Sequence, residues 1–156
     1  MIDMEKIFFY ETPVGKLCIG EENGAITRVT WRQIPEESIL EETELILECK
    51  TQLDAYFRGE RKGFDLPLLP KGTAFQQKVW KALTEIPYGE TRTYGEIAAA
   101  VGNPKAARAV GMANNKNPIG IIIPCHRVVG ANGKLVGYAG GMDRKEWLLE
   151  LEKANV

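Results

Sequence analysis

The chain has 156 residues and a formal net charge of −1, a composition typical of one or two small globular domains. No apolar run reaches the roughly 20 residues that cross a bilayer, and the first residues lack the regions of a secretory signal. Three widely spaced cysteines and a single histidine argue against a disulfide framework and against structural zinc. We therefore expect a cytoplasmic protein with no metal site, no cofactor and no membrane association.

Charge is distributed unevenly along the sequence. Residues 1–70 carry 8 Lys/Arg and 14 Asp/Glu, a net of −6, whereas residues 71–156 carry 12 and 7, a net of +5. A basic segment joined to an acidic one indicates that the basic segment meets a polyanion. A chance excess of charge on a solvated surface is the alternative.

The first part of the chain predicts an antiparallel meander followed by a helix. Strands are expected at residues 6–11, 16–20 and 25–31, because turn sequences separate them. Apolar residues at helical spacing predict a helix over residues 36–58. The following stretch is rich in glycine, proline and charge, so we place a boundary near residue 70, between domains 1–70 and 71–156.

Capping signals mark the helices of the second domain. Thr73 and Thr93 each precede a glutamine or glutamate by three residues, the spacing of a capping box, and the second box opens a helix over residues 94–101. Asn103, followed by proline, predicts the next helix, which extends to about residue 114. Two short helices joined in this way suggest a DNA-binding helix-turn-helix, although a plain αα-corner has the same pattern.

Cys125 lies at the end of an apolar segment, directly before the only histidine. Residues 119–123 predict a short buried strand or extended segment, and His126 and Arg127 follow the cysteine. Polar groups at the end of a buried run need partners or a role. Their positive charge would favour the thiolate, the nucleophilic form of cysteine. A small buried hydrophobe is the common alternative for a free cysteine, and we assign that role to the other two.

The last predicted helix begins at Asp143 and extends to about residue 154. Glu152 lies at the edge of its apolar stripe, where a carboxylate can turn inward and fix the tautomer of a buried imidazole. A solvated C-terminal glutamate is the alternative. Cys125, His126 and Glu152 together would form an activated-nucleophile relay, which cysteine hydrolases also use.

Six short segments of the second domain form a specific set. The first is Ile-Pro-Cys-His-Arg-Val at residues 123–128, and the others lie at residues 93–96, 108–111, 117–118, 138–141 and 145–149. In this order and at this spacing they resemble the O6-alkylguanine-DNA alkyltransferases, or methylated-DNA–protein-cysteine methyltransferases. The resemblance extends from about Phe75 to Glu152. The first 70 residues are similar to that family's N-terminal domain only in outline.

The resemblance implies an α+β fold, with a small ribonuclease-H-like N-terminal sheet domain and a mostly helical C-terminal domain that contains the helix-turn-helix. It implies direct reversal of DNA damage, in which Cys125 accepts the alkyl group of O6-alkylguanine once and irreversibly. O4-alkylthymine is a second candidate substrate. The expected partner is double-stranded DNA, bound through the minor groove with the damaged base flipped out, and the expected state is a monomer.

The resemblance also assigns catalytic roles to five residues. Cys125 is the alkyl acceptor, His126 the base that draws its proton through a water, and Glu152 the carboxylate that orients the histidine. Asn117 would brace the helix-turn-helix against the active-site loop. Tyr94 would turn the 3′ phosphate and donate a proton to the guanine.

Further residues are assigned to DNA contact and to the substrate pocket. Arg108 would enter the duplex and fill the space left by the flipped nucleotide. The other residues expected to contact DNA are Tyr94, Thr93, Ala107 and Arg127. The expected pocket residues are Val128, Tyr138 and Ala139.

Two departures from the family and three rival interpretations bear on this assignment. Ala139 stands where some members carry serine, so a hydrogen bond to O6 there must come from backbone, and the smaller residue would admit bulkier adducts. The zinc ligands of some members' N-terminal domain are absent.

Proteins that bind alkylated guanine without transfer replace the acceptor cysteine, and Cys125 argues against that class. A cysteine hydrolase would leave the helix-turn-helix unexplained, and a simple DNA-binding regulator has no use for a Cys-His pair.

Overall fold

The computed structural model describes residues 4–32, 37–138 and 140–156, and confirms the α+β class. Its N-terminal part is a four-stranded sheet of order β3-β2-β1-β4. The strands are β1 (Lys6–Thr12), β2 (Gly15–Glu22), β3 (Ala25–Thr30) and β4 (Ile39–Leu40). The first three form the predicted antiparallel meander, whereas β4 pairs in parallel with β1.

The first helix, α1, begins later than the sequence predicts. It extends over Glu44–Phe57 rather than residues 36–58, because the side chain of Thr43 accepts a hydrogen bond from the Ile46 backbone and caps it. Residues 39–40 belong to β4, so their apolar side chains follow a strand. Residue 36, where the predicted helix began, lies outside the described residues.

One hydrophobic layer lies between α1 and the sheet. The buried side chains of the strands and of α1 that form it include Leu17, Ile19, Ile26, Ile46 and Leu53, all fully excluded from solvent. Full burial of such a side chain contributes about 1.5–3 kcal/mol relative to exposure. This packing fixes the helix on the sheet, and its last turn reaches the second part of the chain, where Tyr56 contacts Glu152 and Phe57 contacts Trp147.

The C-terminal part is mostly helical. Its elements are α2 (Ala74–Thr84), β5 (Arg92–Thr93), α3 (Tyr94–Ala100), α4 (Ala107–Asn115), β6 (Val128–Val129) and α5 (Met142–Ala154). The capping boxes predicted at Thr73 and Thr93 are confirmed. The two short helices α3 and α4 follow each other and pack together. Within the described ranges, no helix is both long and apolar enough to span a membrane.

Two predicted helix starts in the C-terminal part are wrong. Helix α4 begins at Ala107 and not after Asn103, because the Asn103 carbonyl accepts from the Ala106 backbone at 2.9 Å and closes a turn first. Helix α5 begins at Met142, and Gly141, with a φ of 95°, precedes it without a side-chain cap. Asp143 therefore lies inside the first turn, where its negative charge interacts favourably with the positive end of the helix dipole.

The segment before the active-site turn is not a strand. Ile119 makes one isolated parallel bridge to Val29, and the chain then turns, with the Ile123 amide bound to the Ile119 carbonyl at 3.1 Å. Ile121 has a φ of 70°, which β-branched residues rarely adopt. The apolar run at residues 119–123 therefore reflects burial in a tight turn.

Strand β3, at the edge of the sheet, bonds through its backbone to one segment of each part of the chain. Ile26 exchanges two hydrogen bonds with residues 67–69, and Val29 exchanges two with residues 118–120, all 2.7 to 2.9 Å long. These bonds satisfy an edge that would otherwise be open to other chains. The two bonds of Val29 also attach the N-terminal sheet to the segment that leads directly to Cys125.

Candidate active site

Cys125 opens a short 3-10 turn, Cys125–Arg127, in the interior of the protein. Its side chain is 5% exposed, and the His126 side chain is fully buried. The turn is held from α4, since the Asn114 side-chain amide donates to the Cys125 carbonyl at 3.3 Å. The structure thus keeps the cysteine and the histidine together in a site shielded from bulk solvent.

Asn117 fixes the backbone just before this turn. Its side-chain amide donates to the Ile123 carbonyl at 2.8 Å, and its side-chain oxygen accepts from the Ile119 backbone at 3.0 Å. Asn117 follows the end of α4 by two residues. It therefore connects the second short helix to the cysteine turn, which is the position expected of a brace.

Glu152, on α5, is the centre of a buried hydrogen-bond cluster. Its carboxylate accepts from His126 Nε2 at 2.6 Å, from Tyr56 Oη at 2.6 Å, from Arg127 Nε at 2.8 Å and Nη2 at 3.0 Å, and from the Gly89 backbone at 3.2 Å. Burial opposes its ionisation, but these hydrogen bonds prevail and lower the pKa of Glu152 to about 2. The carboxylate is inward-facing and ionised, which decides between the two alternatives that the sequence left open.

The prediction that Arg127 contacts DNA is wrong. Its guanidinium is buried, where it binds Glu152 and donates through Nη1 to the Ile86 carbonyl at 2.7 Å. An arginine in the interior stays only where an anion and acceptors satisfy its fixed fork of donors. Arg127 therefore stabilises the buried carboxylate.

His126 has distinct partners at its two ring nitrogens. Nε2 lies against Glu152, whereas Nδ1 is buried and hydrogen-bonds to none of the described residues. Burial lowers the pKa of His126, so the ring is neutral at physiological pH. With the proton on Nε2 facing the carboxylate, Nδ1 is the basic nitrogen. Glu152 can then stabilise the imidazolium that forms when Nδ1 accepts a proton.

The thiol of Cys125 is protonated at rest, contrary to the sequence-based expectation. Burial raises its pKa, and the neighbouring polar groups of Asn117 and Tyr138, with the charge of Lys145, offset only part of that effect. The charge of Arg127 is neutralised by Glu152 and does not favour the thiolate. The nucleophile therefore depends on a base at the moment of reaction.

Lys145 is a site residue that sequence reasoning missed. Its side chain is fully buried, and its ammonium donates to the carbonyls of Val128 at 2.5 Å, Val136 at 3.1 Å and Gly137 at 3.4 Å. Burial lowers its pKa to about 8. Lys145 thereby ties β6 to the loop that carries Tyr138. The sequence signal was weak, because lysine is almost always a surface residue.

The remaining predicted site residues lie in three places. Tyr94 is half-buried, and its hydroxyl donates to the Val136 carbonyl at 3.3 Å. Arg108 is exposed in the first turn of α4, next to the half-buried Ala107, while the Thr93 side chain caps α3. Val128 is buried beside the cysteine turn. The predicted pocket residue Ala139 lies outside the described residues.

Tyr138 faces the thiol from the opposite loop. It is 9% exposed, and its hydroxyl has no hydrogen-bond partner among the described residues.

The described residues also contain no group of three or more His, Cys, Asp or Glu that could hold a metal ion. The site can thus supply a nucleophile, a base, a carboxylate and aromatic hydroxyls.

Tyr56 donates to Glu152 from a helix 96 residues earlier in the chain. We predict that Tyr56→Phe lowers the free energy of unfolding by about 1.5–3 kcal/mol, the usual contribution of a hydrogen bond to a charged group. The matched control is Tyr10→Phe, which removes an exposed bond to Glu42 and is expected to cost under about 0.5 kcal/mol. Urea denaturation measures both, and equal losses would contradict a special role for the buried bond.

Comparison with known proteins places this site in a family. Residues 74–154 match the model of the 6-O-methylguanine DNA methyltransferase DNA-binding domain, and residues 7–70 match that of its ribonuclease-like domain. The chain is 55% identical over 149 residues to a methylated-DNA–protein-cysteine methyltransferase of Methanosarcina acetivorans, covering 92% of this chain and 95% of the relative. It is 53% identical to the constitutive enzyme of that name from Bacillus subtilis, covering 92% of each.

Solved structures give the same result. The crystal structure of Mycobacterium tuberculosis O6-methylguanine methyltransferase superposes with a TM-score of 0.90 at 48% identity, covering 98% of this chain and 95% of that one. The same organism's protein in complex with DNA gives 0.91 at 48% identity, covering 96% and 94%. The chain therefore belongs to the methylated-DNA–protein-cysteine methyltransferase family.

Proposed function

We propose that this protein repairs O6-alkylguanine in double-stranded DNA by moving the alkyl group onto its own Cys125. The observation that carries the proposal is the buried relay of Cys125, His126 and the ionised Glu152, in a chain of this family whose two short helices α3 and α4 precede the cysteine turn. A protected thiol with a fixed base is suited to a single nucleophilic displacement.

The reaction begins when the thiol proton moves, through a bridging water, to Nδ1 of His126. The thiolate of Cys125 attacks the alkyl carbon in line with the O6–carbon bond, so the S–C bond forms while the C–O bond breaks and its electron pair stays on guanine. Tyr94 keeps its proton because burial raises its pKa, and it can donate that proton to the departing base. The thioether product has no leaving group, so each molecule reacts once.

DNA must present the damaged base outside the helical stack, because the alkyl carbon is otherwise unreachable. We assign the insertion to Arg108, which is exposed at the start of α4 with no ion pair to another described residue. Helix α4 would enter the minor groove, with Thr93, Tyr94 and Ala107 near the phosphate backbone. The net charge of +5 on residues 71–156 favours this side of the protein for a polyanion.

We further propose a monomer that acts in the cytoplasm and has two domains, residues 1–70 and 71–156. One chain contains every group that the reaction requires, which supports a monomer. A free reactive cysteine fits a reducing compartment. The two family matches meet between residues 70 and 74, which supports the boundary.

Intact-protein mass spectrometry tests the transfer. After incubation with a duplex containing O6-methylguanine, we expect the wild type to gain the mass of one methyl group, mapped to Cys125, and Cys125→Ser to gain none while still binding the duplex. The conservative change keeps the site polar and removes only the sulfur nucleophile. Tight binding of the lesion by the wild type with no change of mass would instead indicate a damage-recognition protein.

Replacement of Arg108 tests its role in base flipping. Arg108→Ala should slow repair of the duplex roughly 100-fold, since flipping costs a few kcal/mol, and should hardly alter the reaction with free O6-benzylguanine. Lys105→Ala is the matched control, because it removes an exposed charge from the neighbouring turn. Equal losses on the duplex and on the free base would refute the assignment.

A further inference from the structure

The narrow cavity beside Cys125 is built by both parts of the chain. Tyr138 and Gly140 line it from the C-terminal part, and Thr30 and Trp31 line it from the end of β3. Asn117, whose side chain offsets part of the rise in the pKa of the Cys125 thiol, lines the cavity as well. The N-terminal sheet thus contributes directly to the surroundings of the nucleophile, a contribution that neither the sequence motifs nor the proposed reaction uses.

The indole of Trp31 is held in one orientation by specific contacts. Its Nε1 donates to the Val14 carbonyl at 2.8 Å, and its ring meets the Tyr138 ring edge-on, with centroids 6.1 Å apart. The Arg144 guanidinium lies 5.1 Å from the ring centroid. Arg144 in turn donates to the Val14 carbonyl at 2.6 Å and to the Gly140 carbonyl at 2.8 Å. Trp31 is therefore fixed to the loop that faces the thiol.

Gly140 shows how closely the indole approaches that loop. A Cβ atom at this position would lie 2.7 and 2.8 Å from two carbons of the Trp31 ring and 2.8 Å from Tyr138. Both neighbours are rigid aromatic rings, so a side chain at residue 140 could not be accommodated by a small shift. On the other side of the cavity, a Cβ at Gly120 would meet the same indole at 3.6 Å. The ring fills the space between the two segments that flank the cysteine.

We propose that Trp31 is a specificity-determining and positioning residue for alkyl transfer. Its indole closes the N-terminal side of the thiol cavity and holds the loop with Tyr138 and Gly140, so the space beside Cys125 favours a small O6 substituent over a large one. The proposal rests on the proposed function, because it concerns the substituent that the thiol attacks. Trp31 is only partly buried and lies beyond the last residue of β3, at the edge of the N-terminal core.

Loss of the indole has two consequences, and both raise the rate of benzyl transfer relative to that of methyl transfer. The cavity gains room for a large substituent, and the loop that positions a small one loses its support. Transfer from O6-methylguanine should therefore slow relative to transfer from O6-benzylguanine. A residue that only stabilised the fold would change both rates together, so the ratio of the two rates separates specificity from stability.

The test measures single-turnover rates with O6-methylguanine and O6-benzylguanine placed in the same duplex. We expect Trp31→Ala to raise the benzyl-to-methyl ratio of rates at least about tenfold, the scale of pocket-size discrimination. Trp31→Leu, which keeps part of the apolar volume and is the safer variant for folding, should shift the ratio in the same direction. Phe9→Ala, an exposed aromatic on the same sheet, is the control and should leave the ratio unchanged.

Each outcome has a definite meaning. A ratio within twofold of the wild type in both Trp31 variants would overturn the proposal and leave the alkyl-transfer function intact. If Cys125 of the wild type acquires no methyl group, the proposed function is overturned, and the role of Trp31 with it. A raised ratio in Trp31→Leu with an unchanged ratio in Phe9→Ala would support the role.

Discussion

The buried carboxylate of Glu152 is the interaction on which the rest of the structure depends. Helix α1, the loop at Gly89, the cysteine turn and α5 all meet at this group, and each contributes a donor or the carboxylate itself. A buried ion is tolerated only where its hydrogen bonds are complete, so loss of one partner leaves an uncompensated charge. The same bonds keep Glu152 ionised, which fixes the tautomer of His126 and leaves Nδ1 as the base.

This arrangement explains how a resting thiol can be both inert and ready. Burial holds Cys125 protonated and shields it from oxidants and from bulk solvent. The base and the orienting carboxylate are already in place, so substrate binding need only bring the alkyl carbon within reach. The N-terminal part takes a share in this readiness, through Tyr56 at the carboxylate, Trp31 at the cavity, and the backbone of β3 along the preceding segment.

Sequence reasoning succeeded where the signal is local. The capping boxes at Thr73 and Thr93, and the adjacent Cys125 and His126, depend on residues a few positions apart. It failed where distant segments decide the outcome: the pairing of Tyr56 with Glu152 spans 96 residues, and nothing near Lys145 indicates that three carbonyls surround it. The inward direction of Arg127 has the same cause, since its partner lies on another helix. Helix starts were displaced where a nearby strand or turn competed for the same residues.

The most direct test of the account is the side-chain carboxyl ¹³C signal of Glu152, followed by NMR as the pH is lowered. If the carboxylate is held by Tyr56, His126 and Arg127, its signal stays that of the ionised form well below the ordinary value of 4.5, with a midpoint at about 2. At about pH 3 the group should therefore remain mostly ionised in the folded protein. A midpoint near 4.5 would contradict the account, because it would show that these partners do not stabilise the charge on which the relay depends.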